Sequence, residues 1–262
     1  MTERRLYSYR YVCGDRDIIA EGLKDHSARV VKYLERVRGS PLARYATIKG
    51  GVKEEGFVNS LLIAGALHDV GKAFYQHNWR EDSKGCKYLS FAGHEWVSAY
   101  FIELMRRELI GDESPAAGML DVTLYATLLH HHAMDVRGRA KGLANIPKPP
   151  PEEAVIGGLT ELSDLIPDRV VRDAYLNVLG EATGHVLKGS CGGLADVFEV
   201  VRSAYFSIVK RSAGRRGRRI LYLLGVASLV TADYLAAGEV RGPSSSRFWG
   251  VVKEFSSLYL RL

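Results

Sequence analysis

The sequence predicts an all-α fold, a helical bundle, and two observations support this prediction. Apolar residues recur at helical spacing through most of the chain, beginning over 23–37. Strand-like alternation is confined to residues 7–12, YSYRYV, a pattern typical of a short edge strand. With 47% apolar and 25% charged residues in 262, the chain has the composition of a globular protein with a substantial core.

The helices are predicted where apolar spacing runs between breaking residues. An apolar run over 60–70 stops near Gly71, and two more core helices are expected over 94–109 and 120–132. The stretch 134–153 contains four prolines and predicts a loop. Helices resume over 151–187, 194–211 and 218–237, followed by an amphipathic tail, 247–262, expected to pack on the core through Phe248, Val251, Phe255 and Leu258. We expect a single domain over 1–262, with its motif-bearing core over about 20–240.

Bulk features limit the class of protein further. The cysteines, Cys13, Cys86 and Cys191, are odd in number and widely spaced, so the sequence predicts neither a disulfide framework nor a zinc knuckle. A reducing cytoplasm suits such a chain. The first residues lack a signal-peptide core, and no run reaches about 18 uncharged apolar residues, so no membrane association is expected. The net charge of +6 permits a polyanionic partner.

The stretch LLIAGALHDVGK, residues 61–72, contains the first candidate functional residues. An apolar helical run ends in adjacent His68 and Asp69. Aspartate is almost never fully buried without a partner, and an unpaired buried carboxylate costs several kcal/mol. Something must therefore compensate the charge of Asp69.

Other histidines and one more carboxylate fall on predicted buried faces. His26 shares the apolar face of its helix, and His94 opens a helix, where the N-terminus favours neutral imidazole. In LLHHHA, about 100° per residue directs the second and third histidines inward and His130 outward. A lone inward histidine is more often a hydrogen-bonded core residue than a ligand. A shared divalent metal cluster nevertheless accounts best for the whole set: His26, His68, Asp69, His94, His131, His132 and Asp233.

This ordered set resembles the HD superfamily of metal-dependent phosphohydrolases. HDVGK at 68–72 matches the signature, and GHE at 93–95, the paired histidines and TADYLAA around Asp233 continue the series. The resemblance implies a helical bundle with a metal centre in its core. The paired histidines, GHE and TADYLAA resemble more narrowly the HD nuclease of type I CRISPR interference, in the form in which it is a subunit separate from its helicase.

The resemblance implies two divalent ions, drawn from Mn, Fe, Co, Ni or Mg, that share Asp69. One ion would take His26, His68, Asp69 and Asp233, and the other Asp69, His94, His131 and His132. Asp69 and Lys72 would be catalytic: activated water attacks phosphorus while the metals and Lys72 stabilise the developing charge. The alternative for Lys72 is an exposed surface lysine. The histidine triplet leaves the register open, and His130 can replace His132 without loss of the chemistry.

The implied function is a metal-dependent endo- or exonuclease of single-stranded DNA or RNA in antiviral CRISPR defence. Its partners would be a separate helicase and a crRNA-guided complex. An alternative is an HD-type phosphohydrolase acting on dNTPs or cyclic nucleotides, and a third is a non-catalytic binding module. Two basic segments are either nucleic-acid contacts or solvated surface: 210–219, and a loop with Arg137, Arg139, Lys141 and Lys148.

Overall fold

The computed structural model describes residues 5–109, 115–131, 136–146, 149–189, 194–242 and 247–260. These residues form a predominantly helical structure with one small sheet, so the all-α prediction is confirmed. The α-helices of the described residues are α1 Leu23–Glu35, α2 Pro41–Gly50, α3 Glu54–Leu67, α4 His94–Leu109, α5 Pro115–Leu129, α6 Val136–Ala140, α7 Glu152–Thr160, α8 Arg169–Gly189, α9 Ala195–Ser212, α10 Arg216–Arg241 and α11 Arg247–Phe255.

The core of the bundle is built by α1, α3, α4, α5 and α10, which pack against one another in sequence-distant pairs. The central helix α3 is apolar on every side, and all its residues from 57 to 67 except Asn59 are buried. Such a helix is stable only when neighbours surround it. The run predicted over 60–70 therefore lies at the centre of the molecule, and its C-terminal end lies among the other core helices.

Helix α10 has the length and the apolar composition of a helix that could cross a membrane. About half of its most apolar window, 56%, is buried inside the protein, where it packs against α1, α2, α3 and α5. Core helices of soluble proteins pass the same test, so this is weak evidence for a membrane span.

A four-stranded antiparallel sheet contains β1 Tyr7–Cys13, β2 Arg16–Gly22, β3 Trp79–Glu81 and β4 Lys87–Leu89, in the order β2-β1-β4-β3. The predicted strand exists, but its placement at an edge was wrong, because β1 pairs with both β2 and β4. The other three strands were not predicted. Hairpins pair β1 with β2 and β3 with β4, but β2 has no period-two alternation, and β3 and β4 are too short for periodicity to identify.

Helix α2 was also missed, although its boundary residues signal it. Ser40 is the N-cap, with Oγ accepting a hydrogen bond from the backbone N–H of Ala43 at 3.2 Å, and Pro41 follows at the first helical position. Gly51 ends the helix in the left-handed conformation at φ 69°.

Two predicted segments differ from the structure. The loop expected over 134–153 contains α6 and a 3₁₀ turn, Lys141–Asn145. In the C-terminal tail, Val252 and Leu260 are buried, whereas Val251 and Leu258 are each 57% exposed, so the predicted core register of those two was wrong. Leu258 lies in a π-helical turn after α11, Ser256–Leu260, which shifts the phase that an α-helical period assumes. Val251 lies within α11 itself, on its exposed side, next to the buried Val252.

The expectation that the cysteines form no disulfide was wrong. Cys13 and Cys86 are bonded across 73 residues of chain, joining the ends of β1 and β4. Wide sequence spacing did not exclude this pair because the sheet brings the two strands together. Disulfides persist in oxidising compartments and in hyperthermophile interiors, so the reducing cytoplasmic location stays a prediction. Cys191 lies outside the described residues.

Candidate metal centre

The metal-ligand candidates converge from five separate elements. His26 lies on α1, His94 begins α4, and Asp233 lies on α10, while His68 and Asp69 directly follow α3 and His130 directly follows α5. All except Asp233 are at most 2% exposed, and the Asp233 side chain is 14% exposed. The fold thus brings together residues separated by more than 200 positions.

Asp69 lies between two groups of imidazoles. Its Oδ1 is 2.9 Å from His94 Nε2 and 4.0 Å from His130 Nε2. Its Oδ2 is 3.4 Å from His68 Nε2 and 3.5 Å from His26 Nε2. One carboxylate whose two oxygens face different histidines has the arrangement of a bridging ligand.

Three of these imidazoles are oriented in the same way. The Nδ1–H groups of His68, His94 and His130 donate to the backbone carbonyls of the residues three positions earlier, at 3.0, 2.7 and 2.6 Å. Each Nε2 is therefore an unprotonated acceptor, and each is buried without a hydrogen-bond partner. Buried acceptors without partners are costly, and one of them faces a carboxylate oxygen. A cation at this point would satisfy all of them, so the residues fit a divalent metal ion.

His26 differs, because a carboxylate orients it. Its Nδ1 lies 2.9 Å from Oε1 of Glu21, and its Nε2 lies 2.9 Å from Oδ1 of Asp233. Burial opposes charge on this ring, but the two carboxylates raise the pKa of His26. Glu21 is itself 3% exposed and also binds Arg29 and Arg241. Sequence reasoning missed Glu21, since a lone glutamate at the end of a strand carries no motif.

The two predicted carboxylates remain ionised in this environment. Burial alone would raise the pKa of Asp69, but His68, Lys72 and His94 hold it well below its usual range. Asp233 also has a lowered pKa, because the hydrogen bond and charge of His26 outweigh burial. Ionised carboxylates beside neutral imidazoles are the donor set that Mn, Fe, Co, Ni and Zn accept.

The histidine triplet is placed differently from the prediction. His130 is buried in the centre, so the outward placement from the helical period was wrong. Because α5 ends at Leu129, the α-helical angle does not continue into the triplet. The His131 ring lies 5.2 Å from that of His94 and 4.0 Å from that of His130. His132 lies outside the described residues.

The imidazole rings of His130 and His131 are held in their neutral, metal-binding form. Burial, followed by the nearby His68 and His94, lowers the pKa of His130 to about 3. Burial together with His130 and His94 also lowers the pKa of His131. Neutral imidazole is the ligand form, so both rings are ready to bind a cation near neutral pH.

Lys72 is not an exposed surface lysine. It lies in the 3₁₀ turn Val70–Tyr75, is 8% exposed, and its Nζ donates to Oδ2 of Asp69 at 2.6 Å. Ser8 Oγ lies 3.4 Å from both this nitrogen and Asp69 Oδ2. Lys72 therefore places a positive charge beside the Asp69 carboxylate. Strand β1 contacts both side chains through Ser8.

The glycine of HDVGK permits a close contact at the centre. A Cβ on Gly71 would lie 2.1 Å from the carbonyl oxygen of His94. The Gly71 N–H donates to Ser98 Oγ on α4 at 2.9 Å. Only a residue without a side chain lets the turn after α3 approach the start of α4 so closely.

One residue of the basic loop over 137–148 forms an ion pair within the protein. Arg139 forms a bidentate ion pair with buried Glu95, at 2.6 and 2.7 Å. This pair fixes α6 beside His94. Lys141 is exposed, while the Arg137 side chain and Lys148 lie outside the described atoms.

The liganding atoms are close enough to hold ions in common. Three groups each have one ligand atom per residue within 4.8 Å of the others: His94 with His130 and His131, His26 with His68 and Asp69, and His68 with His130 and Asp233. The structure thus brings together the described members of the predicted ligand set and adds His130 to them.

The HD domain family matches residues 23–174 of the chain. The match covers more than half of the 262 residues, so the chain belongs to the HD domain family. Together with the His/Asp cluster, this membership makes the protein a metal-dependent phosphohydrolase with a helical-bundle fold. No curated protein and no solved structure matches the chain.

Proposed function

We propose that the protein is a nuclease that hydrolyses phosphodiester bonds of single-stranded DNA, with RNA as a further substrate. The observation that supports this best is the position of Asp69, whose two oxygens face two histidine groups while Lys72 contacts one of them. Paired divalent ions supply Lewis-acid polarisation of phosphoryl oxygens and lower the pKa of water.

The residues of the chain have distinct tasks in this reaction. His26, His68 and Asp233 would hold one ion, and His94, His130 and His131 the other, with Asp69 shared. Lys72 adds a cation that attracts the substrate phosphate and stabilises charge gathering on its oxygens. With two ions and two carboxylates the pocket keeps about three positive charges, which suits a polyanion. No covalent intermediate on the protein is required.

The biological setting in this proposal is CRISPR interference, with a separate helicase and a crRNA-guided complex as partners. The sequence resemblance in the paired histidines, GHE and TADYLAA supports it. The chain would cut strands that the helicase exposes. A mixture of the chain, that helicase, the guided complex and ATP should degrade duplex DNA that the chain alone leaves intact. Duplex loss that does not depend on the helicase contradicts this setting.

Cleavage assays separate the proposal from its alternatives. Purified protein with Mn²⁺, Co²⁺ or Ni²⁺ should cut labelled single strands, and Asp69→Asn should lose more than about 100-fold of that rate. Asp173→Asn is the matched control, because Asp173 is an exposed aspartate that pairs with Arg169 and belongs to none of the His/Asp groups. Intact strands under all three metals contradict the nuclease. Turnover of dNTPs or cyclic nucleotides alone would favour the nucleotide phosphohydrolase.

A further inference from the structure

The sheet has an open face beside the metal centre. The sheet contacts the metal centre through Ser8 on β1, whose hydroxyl lies beside Lys72 and Asp69. Val12 pairs with Lys87 and Lys87 pairs with Glu81, so these three side chains share one face. Because side chains alternate along a strand, Arg10 and Trp79 lie on that face too, between Glu81 and the centre.

Aromatic rings and cations alternate along this face. The Arg10 guanidinium lies 5.5 Å from the Trp79 ring and 4.9 Å from the Tyr7 ring. Nearer the centre, Lys72 Nζ lies 5.4 Å from the ring of Phe91, two residues beyond the end of β4. The spacing in a strand is about 3.3 Å per residue, so Arg10 lies about 7 Å along β1 from Ser8.

Trp79 is available to a ligand. It is 37% exposed on β3, one of the two edge strands of the sheet, and lines a surface groove with Arg10, Val12, Arg80 and Lys87. A tryptophan held at a surface by a neighbouring guanidinium presents a flat, fixed apolar plane. Unpaired nucleobases stack on such planes, and duplexed bases do not offer their faces.

The groove is also cationic. Arg10 is balanced by Asp17, and Glu81 lies beside Lys87 across the strand pair. Arg80 and Lys87 form no ion pair within the part of the chain that the structure describes. Charge complementarity therefore favours a polyanion here, and the exposed ring favours one with free bases.

We propose that this face binds the single-stranded substrate, with a base stacked on Trp79 and a flanking phosphate held by Lys87. The inference rests on the proposed function and names the strand-binding surface of the same site. A strand held on the face leads past Arg10 toward Lys72 and the metal centre. The Cys13–Cys86 disulfide joins β1 to β4 at the far end of the groove and keeps the two sides of it in register.

Binding and cleavage measured separately test this inference. Fluorescence anisotropy of a labelled phosphorothioate oligothymidylate with metal-loaded protein reports binding, and hydrolysis of bis(p-nitrophenyl) phosphate reports the centre. Trp79→Ala should weaken strand binding about 5- to 100-fold, and Trp79→Phe should restore most of it. Both variants should hydrolyse the small diester at the wild-type rate, because the small diester does not need the groove.

Matched controls locate the effect. Phe206→Ala removes an aromatic side chain that is 56% exposed on α9, on a different surface groove with Trp96 and Phe198, and should leave strand binding unchanged. Lys87→Ala should weaken binding of all sequences and reduce the salt slope by about 0.7. A thermal melt of each variant should match that of wild type, since the ring is exposed on an edge strand.

Several outcomes overturn the inference. Unchanged strand affinity in Trp79→Ala does so, as does equal loss in Phe206→Ala. Equal dependence of polyglutamate binding on Trp79 would assign the face to acidic protein rather than to bases. Metal-dependent cleavage of single strands that does not depend on Trp79 would contradict this inference and leave the proposed function standing. Trp79-dependent strand binding without hydrolysis of any substrate would instead contradict the proposed function.

Discussion

At the scale of single residues, the centre depends on what lies behind each imidazole. His68, His94 and His130 donate to backbone carbonyls, whereas His26 faces the Glu21 carboxylate. A carboxylate behind a liganding histidine fixes the ring and raises its basicity. Glu21 is therefore a positioning residue for the metal centre, although it cannot itself reach the substrate.

Replacement of Glu21 should weaken metal binding more than it changes the substrate step. We expect Glu21→Gln to lower Mn²⁺ or Co²⁺ affinity by roughly 10- to 100-fold, measured by isothermal titration calorimetry. Activity should return at high metal concentration. Glu103→Gln is the control, because Glu103 is equally buried but pairs with Arg106 and Arg107. Equal metal affinity in Glu21→Gln and wild type would contradict this role.

At the scale of elements, the turn after α3 and the start of α4 are held in direct backbone contact. Gly71 has no space for a side chain against His94. The disulfide makes a comparable connection in the sheet, where it joins β1 to β4. Both connections lie next to residues of the centre or of the proposed strand-binding face, so changes in them should affect stability and binding together.

Gly71→Ala should be destabilising although alanine favours helices. The new methyl group would overlap the His94 carbonyl, and overpacking of this kind costs about 1–3 kcal/mol. Gly180→Ala on α8 is a matched control, because nothing lies within 4 Å of its Cβ position. It should stabilise by about 0.5–1 kcal/mol. Urea unfolding measures both, and a Gly71→Ala variant as stable as wild type would show that the turn can shift.

Loss of the disulfide should lower the free energy of unfolding by about 2–4 kcal/mol, because the bond closes a long loop in the unfolded chain. Cys86→Ser should therefore melt at a lower temperature than the wild type. A reducing agent should lower the melting temperature of the wild type and leave that of Cys86→Ser unchanged. Identical melting of the oxidised wild type and the variant would show that the bond does not form in solution.

At the scale of the whole molecule, the metal centre concentrates buried carboxylates inside a basic protein. Asp69, Asp233 and Glu95 all have lowered pKa values, in each case because neighbouring cations or histidines outweigh burial. For Glu21, burial is outweighed by His26, Arg241 and Arg29, which lower the pKa from its ordinary 4.5 to about 2. Folding stability is therefore linked to the ionisation of these groups.

The sign of this linkage predicts acid sensitivity of the metal-free protein. A lowered carboxylate pKa contributes stability that is fully present above the unfolded value, about 4.5, and lost as pH falls through the folded value. Glu21 alone would contribute up to roughly 3 kcal/mol. Urea unfolding at about pH 7, 4.5 and 3 should show a steep loss in the lowest interval, smaller in Glu21→Gln. A flat profile below about pH 4.5 would contradict the linkage.

Much of the metal centre could be predicted from the sequence, because its residues belong to short motifs and to the apolar faces of single helices. An apolar run ending in HDVGK requires a partner for Asp69, and the order of histidines and Asp233 resembles one family. The all-α class follows from the same periodicity. By contrast, β2 shows no period-two alternation, β3 and β4 are too short to show one, and the pairing of β1 with β4 joins segments far apart in the chain.

The sequence by itself determined that this chain is an HD-family helical bundle with histidines and carboxylates facing a shared cation site. Only the tertiary structure decided that His130 enters the centre, that Glu21 orients His26, and that Cys13 bonds Cys86. The physical reason is that helical periodicity describes a residue within its own element. A side chain beyond the end of a helix, or a contact between elements, is fixed by packing against parts of the chain far away in sequence.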